Sequence, residues 1–532
     1  VSIAASPAAR ADAHHIQEIS LRLNPVILRY AIVRILTLLS LLVPSAFSQQ
    51  IPGRFLVAYR GGAIPASSRL QLAGATLIAR HDRLGVAVLQ VAAANAAGLR
   101  AQLAADPSVA SFVQDRVVFA HALAVRPAAL PAASATDTLY NGPQGWAVRA
   151  VGGFGNAATP GPWNTSTGAG VRIAILDSGV DANHPDIAPN LTLNLTEVDQ
   201  SAATGLPSPC DDGSPQDQTG HGTWAASLAA GAYGAGTGLV AGVAPGAGIL
   251  NIKVLERMPA TATSAADPTG CNAGQASGLL SWVLAGIEDA VKNRANIVSM
   301  SLGTLIDLTT GDGAGLQATF NQVTSAAANA GVILIASAGN DGFSLANQRY
   351  IELPAQARGV LAIVASTNPA CAENLAANAT CAPGPITLPY YSNSGAPLNA
   401  LAAPGGSYPA GPDADPTRPS GWIWGACSSG ISSTVSGPPA DSAHSFGCFG
   451  LGHTAYVQAM GTSASAPLAA GAAALLLAAH STWTAAQVVA ALRSSASSFT
   501  TLPNPLLDVA PLLTSSAPTQ QQVTFIGAGL KR

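Results

Sequence analysis

The chain has 532 residues, of which 48% are hydrophobic and only 10% charged, and its net charge at pH 7 is −3. A near-neutral chain without a basic patch argues against nucleic acid as a partner, and a mean hydropathy of +0.32 raises the question of membrane spans. Most apolar runs are alanine-rich and broken by Gly, Pro, Ser or Thr short of the roughly 20 residues that cross a bilayer, so no membrane partner is expected once a leader is removed.

The first patterned element lies near the N-terminus. Arg29 and Arg34 precede the apolar run ILTLLSLLV (35–43), which a small-x-small ending at Ala46 and Ser48 follows. That order is the order of a secretory signal peptide, so 1–48 reads as an extension plus leader and the product as secreted, extracellular or periplasmic. Residues 49–122 read as a small α+β unit. RFLVAY (54–59), ATLIAR (75–80) and GVAVLQV (85–91) are β-rich, 93–106 places Leu99 and Leu103 at helical spacing, and 110–122 is extended again. Residues 123–138 are rich in Pro, Ala and Ser without periodicity, the composition of a linker.

From 139 to 515 short β-branched runs alternate with alanine-rich helical ones. The strands are expected at 171–176, 248–255, 295–302, 331–338 and 359–366, and the helices between them include 221–231, 275–293 and 315–330. Continuous apolar strands separated by helices predict an α/β domain, a mostly parallel sheet with helices on both faces. The run Leu468–Ala479 has the length of a buried core helix, and the tail 516–532 is polar. Cys210, Cys271, Cys371, Cys381, Cys427 and Cys448 show no zinc spacing and suit disulfides in a secreted chain. Chain order suggests the local pairs 210–271, 371–381 and 427–448, although six cysteines allow about 15 connectivities.

Three short sites fall where such a fold places ligands, at strand ends and helix starts. IAILDSGVD (173–181) ends an apolar strand in Asp177. DQTGHGTWAASLAAG (217–231) sets His221 between two glycines at the start of a helix. QAMGTSASAP (458–467) sets Ser463 before an apolar helix, where a helix cap is the plainer role. Singly each is ordinary; together, in the order Asp…His…Ser, they supply what acyl transfer needs. The serine attacks, the histidine takes its proton, and the aspartate fixes the histidine tautomer.

DSG, HGT and GTSASAP resemble the three signature motifs of the subtilisin-like serine peptidases, and 49–122 resembles that family's propeptide inhibitor domain. The resemblance implies a subtilisin-like fold preceded by a small ferredoxin-like prodomain, and a secreted endopeptidase made as an autoprocessed zymogen. It implies Asp177, His221 and Ser463 as the triad, protein or peptide substrates, the chain's own propeptide as inhibitor, a monomer, and maturation within the linker. ILIASAGNDG (333–342) resembles the segment that supplies the oxyanion-hole asparagine, here Asn340. SMSLG (299–303) resembles the substrate-binding strand, with Ser301, Leu302 and Gly303 offering backbone groups to an extended peptide. Ser337, Ala338 and Gly339 would form the facing wall of the pocket for the residue before the scissile bond. That wall is small and uncharged, which implies apolar or broad specificity.

The chain departs from the family pattern in places. Trp224 and Leu468 stand where the family often has histidine. GTSAS also resembles the sedolisin nucleophile motif, but His221 and Asn340 oppose that reading and imply a neutral or alkaline optimum. The chemistry requires no cofactor. YGAGTGLVAGVAP (233–245) lacks the oxygens of the family's calcium loop; structural calcium is possible elsewhere, for example through Asp211, Asp212 or Asp217, which read first as an ordinary acidic loop. The insertion 406–455 reads as a disulfide-pinned loop whose His444 and His453 face solvent. The competing reading is a catalytically inactive scaffold of the same fold.

Overall fold

The computed structural model describes residues 50–513 apart from 67–73, 122–123, 128–134, 157–159, 199–207, 261–262, 264–268, 272–273, 311, 347–348, 368–385, 396–397, 399, 408–420, 430–447 and 499. The leader, Cys371, Cys381, His444 and the polar tail lie outside the described residues. Ser48–Arg532 is one compact unit.

Its centre is a seven-stranded sheet, ordered Ala400–Pro404, Val360–Ser366, Ile333–Ser337, Ile297–Met300, Arg172–Asp177, Gly248–Lys253, Leu191–Thr196. Every pairing in it is parallel. Successive side chains of a strand point to opposite faces, and here both faces are apolar. Ile173, Ile175, Ile249, Ile335 and Ile363 pack on one side, with the helices His221–Ala230 and Thr462–Ala479. Ala174, Leu176, Ile252, Val298 and Leu334 pack on the other, with Leu280–Lys292 and Gly313–Asn329. The helix Thr462–Ala479 is apolar and long enough to cross a bilayer, yet 83% of it is buried inside the fold. It is a core helix, and small side chains let it lie against the sheet and against His221–Ala230.

The N-terminal unit forms an antiparallel sheet of Thr76–His81, Val86–Gln90, Gln50–Tyr59 and Val109–Ala120. One face carries its own core, Phe55, Val57 and Leu89 against Leu99 and Leu103 of the helix Ala96–Ala105. The other face, Leu56, Ala58, Val86, Val88 and Val113, joins the core of Leu280–Lys292 and Gly313–Asn329. Polar contacts seal this junction. Asp115 accepts from Arg54 Nε at 3.0 Å and from the Ser281 amide at 3.1 Å, near the start of the helix Leu280–Lys292, where a carboxylate suits the unpaired N–H groups. His81 Nδ1 lies 2.8 Å from Glu288 Oε2 of the same helix.

Two expectations change. The segment 275–293 is not one helix: Gln275–Leu279 is a strand, because Ser277–Leu279 pairs with Val117–Phe119 and Gln275–Ser277 with Glu256–Met258. Within the presumed linker, Ala124–Pro127 is a strand, antiparallel to Val457–Met460 just before Ser463.

Candidate active site

Asp177 ends its strand at the carboxyl edge of the parallel sheet, buried, and its Oδ1 lies 2.7 Å from His221 Nδ1. A carboxylate only accepts, so Nδ1 carries the proton and Nε2 is left with its lone pair. His221 opens the helix His221–Ala230. Gly220 before it holds φ at +91°, and a Cβ there would collide with the sulfur of Cys427. Asp217 holds this loop: its carboxylate accepts from the amides of Thr219, Gly220 and Thr223 and from the hydroxyls of Ser178, Thr219 and Thr223. Trp224 and Phe449 lie edge-on to the His221 ring at 6.0 and 5.8 Å, and the disulfide Cys427–Cys448 anchors Phe449.

Ser463 is the second residue of its helix, and Gly461, not Ser463, occupies the cap position. Ser463 Oγ donates to the Ser301 carbonyl at 3.2 Å, while His221 Nε2 has no hydrogen-bond partner among the described residues. The Ser463–His221 hydrogen bond is therefore not formed in this conformation. Asn340 stands just beyond the strand Ile333–Ser337. Its Oδ1 accepts from the Thr462 amide at 2.9 Å and hydroxyl at 2.8 Å, which turns Nδ2 outward.

What lies against these groups is the chain itself. The strand Val109–Ala120 runs between Ser277–Leu279 and the strand Leu302–Asp307, with Leu302 opposite Ala120 and Gly303 opposite Phe119. The His121 amide donates to the Ser301 carbonyl at 3.1 Å. The His121 carbonyl accepts from Asn340 Nδ2 and, at 3.4 Å, from the Ser463 amide. Further along the chain Ala124–Pro127 pairs with Val457–Met460, so described segments of the chain lie on both sides of Ser463.

Ser337 Oγ lies 2.7 Å from His121 Nδ1, and a Cβ on Gly339 would stand 3.2 Å from the Glu352 carboxylate. Sequence reasoning missed the pocket's other side chain, Glu352, whose Oε1 lies 3.4 Å from His121 Nε2. Burial holds His121 down to about 4 and pushes Glu352 well above the usual carboxylate range. The expectation of apolar or broad specificity rests on the small, uncharged wall of 337–339 alone and omits this residue.

The acidic groups considered for calcium are engaged by donors. Asp211 accepts from Lys253 Nζ at 2.7 Å, and Asp212 accepts from Ser214 and Gln218. Beside the loop 233–245, Asp186 Oδ2 accepts from Tyr456 Oη at 3.0 Å and the Leu239 amide at 3.2 Å, where a cation would need oxygens. Among the described residues no group of three or more His, Cys, Asp and Glu is placed to hold a metal. Cys210–Cys271 and Cys427–Cys448 are bridged, and His453 Nδ1 lies 2.6 Å from the Ser429 carbonyl.

Burial raises Asp186 to about 7 from an ordinary 3.8. The folded state thus holds a proton that the unfolded chain has already released. This contribution to stability is full below about pH 4 and is lost as pH rises through 7. Asp186→Asn, made in a Ser463→Ala background to prevent autolysis, should show a smaller fall in Tm between pH 4.5 and 8 than its parent. Parallel Tm curves would show that Asp186 is ionised in the fold.

Residues 168–524 match the model of the subtilase family, Peptidase_S8. Subtilisin E of Bacillus subtilis (strain 168) is 30% identical over 330 residues, 62% of this chain and 61% of its own length. The subtilisin of Bacillus pumilus is 31% identical, covering 62% of this chain and 85% of its own length. The chain thus spans 61% of several of the curated relatives that it matches. Among solved structures, fervidolysin from Fervidobacterium pennivorans, a keratinolytic enzyme related to subtilisin, superposes with a TM-score of 0.58 at 19% identity, covering 89% of this chain and 62% of that one. The epidermin leader peptide processing serine protease of Staphylococcus aureus gives 0.57 at 17%, covering 87% and 99%. At these identities the likeness concerns the fold.

Proposed function

The chain belongs to the subtilase family, and we propose that it is a secreted serine endopeptidase, made as a zymogen that cuts itself between His121 and Ala122. The observation that carries the reading is the convergence of Asn340 Nδ2 and the Ser463 amide on the His121 carbonyl oxygen. Two donors on one carbonyl oxygen are what an oxyanion needs; one of them is the amide of Ser463 itself, and His221 is already oriented by the Asp177 carboxylate.

In the proposed reaction Ser463 Oγ leaves the Ser301 carbonyl, turns towards His221 Nε2 and loses its proton there as it bonds to the His121 carbon. The oxygen takes the negative charge and stays on Asn340 and the Ser463 amide. His221 then gives its proton to the departing Ala122 nitrogen, and the acyl-serine forms. Water attacks with His221 again as base, freeing Ser463 and a His121 carboxylate. Asp177 keeps the His221 proton on Nδ1 and stabilises the imidazolium. Ser301, Leu302 and Gly303 hold the substrate backbone as an added strand.

After cleavage, 50–121 would remain as product in the cleft, held by the buried face against Leu280–Lys292 and Gly313–Asn329; this is how the propeptide inhibits. The domains then follow as leader, propeptide to His121, a linker 122–138 and a catalytic domain 139–515, with the cut one residue ahead of the linker expected at 123–138. The two bridged cysteine pairs suit an oxidising compartment outside the cytoplasm.

Expression of residues 49–532 under oxidising conditions tests this. The mature species should begin at Ala122, and a fluorophosphonate should label Ser463 with or without a chelator. A first mature N-terminus elsewhere, or label on another residue, would refute the assignment.

A further inference from the structure

Glu352 sits in the strand Tyr350–Leu353, opposite Leu305 of the substrate-binding strand, with its side chain 1% exposed. Neither carboxylate oxygen has a hydrogen-bond partner among the described residues. Buried carboxylates are ordinarily saturated, as Asp217 is with six donors here. Apart from the imidazole of His121, no cationic side chain among the described residues forms an ion pair with Glu352.

The surroundings keep space and negative charge for an occupant. A Cβ on Gly303 would collide with both Glu352 Oε1 and His121 Cε1, so this glycine opens the passage between them. Asp341 is the other charged group acting on Glu352, and it adds to the negative potential. Ser337 Oγ supplies a polar wall.

We propose that this peptidase cleaves after basic residues, the Glu352 carboxylate at the base of the pocket pairing with the cation of the residue that precedes the scissile bond. The proposal rests on the peptidase reading above and adds its substrate class. His121 is already a basic residue in that position, though burial keeps it uncharged. Arginine keeps its charge when buried, and lysine starts about four pH units above histidine, so either supplies the missing partner. A leucine or phenylalanine in the pocket would leave the carboxyl buried and unpaired.

The test uses 4-nitroanilides of Val-Phe-Ala-X, after residues 118–121, with X as Arg, Lys, His, Leu or Phe. For the mature enzyme, kcat/KM with Arg or Lys should exceed that with Leu by at least tenfold, about 1.4 kcal/mol. In Glu352→Gln, whose folded site is verified by fluorophosphonate labelling of Ser463, that ratio should fall by at least tenfold. Leu or Phe preferred by the wild-type enzyme would overturn the proposal even if the variant failed to mature, and so would an unchanged ratio in a variant that did. Such an enzyme would still be labelled at Ser463 and still digest casein, leaving the peptidase reading intact. Absence of both labelling and hydrolysis would overturn the two together.

Discussion

Ser463→Ala is expected to keep the chain at its full expressed length and to lower kcat by a factor on the order of 10⁶, the size of this change in subtilisin itself. The reason is local. On the proposed reading the hydroxyl is the nucleophile that attacks the His121 carbon, the carbonyl on which the Ser463 amide and Asn340 converge. Its structural part is small, because it donates one hydrogen bond, 3.2 Å long, to the Ser301 carbonyl. Loss of that bond costs about 1 kcal/mol, too little to unfold the chain. The variant should therefore be soluble, cooperative in melting and uncut, with Val117–His121 still against Ser277–Leu279 and Ser301–Gly303. Intact mass after expression, followed by peptide hydrolysis, checks both halves. Maturation of the variant at the wild-type rate would mean that another peptidase makes the cut.

The parts of this arrangement that could be read in advance are those set by local pattern. Ile173–Leu176 and Ile333–Ala336 are apolar on both faces because helices cover both, and an uninterrupted apolar run is how such a strand looks. Asp177 ends a strand, His221 starts a helix and Asn340 follows a strand, each within two residues of a glycine, a local signature too. The parts that could not be read depend on distant partners. Gln275–Leu279 runs into Leu280–Lys292 without a break and is extended only because Val117–Phe119 and Glu256–Met258 pair with it. Ala124–Pro127 has linker composition and becomes a strand against Val457–Met460. Glu352 is the sharpest case. It lies 12 residues beyond Asn340 in a four-residue strand, and only the fold turns it towards His121. Asp217 read as one of several loop acids, since six donors converging on a carboxylate leave no trace in a single sequence.

Asn340→Ala should lower kcat by about 10²–10³ with little change in KM, a range that comes from the equivalent change in subtilisin. Asn340 makes two sets of contacts, and variants can separate them. Nδ2 donates to the His121 carbonyl, while Oδ1 accepts from the amide and hydroxyl of Thr462, the residue before the nucleophile. Alanine removes both contacts. Asn340→Asp keeps the acceptor for Thr462 but removes the donor and sets a negative charge facing the developing oxyanion. If stabilisation of the oxyanion is the larger function, Asp should be at least as damaging as Ala. If anchoring of Thr462 is the larger one, Asp should recover most of the activity that Ala loses. The geometry favours the first outcome, because Ser463 is also held by the hydrogen bond from Ser301 Oγ to its carbonyl at 2.9 Å. Both variants should still process themselves, over hours and not minutes, since Ser463, His221 and the second donor are intact. Full-length Ser463→Ala and slowly maturing Asn340→Ala on one time course would distinguish a missing nucleophile from a weakened oxyanion site.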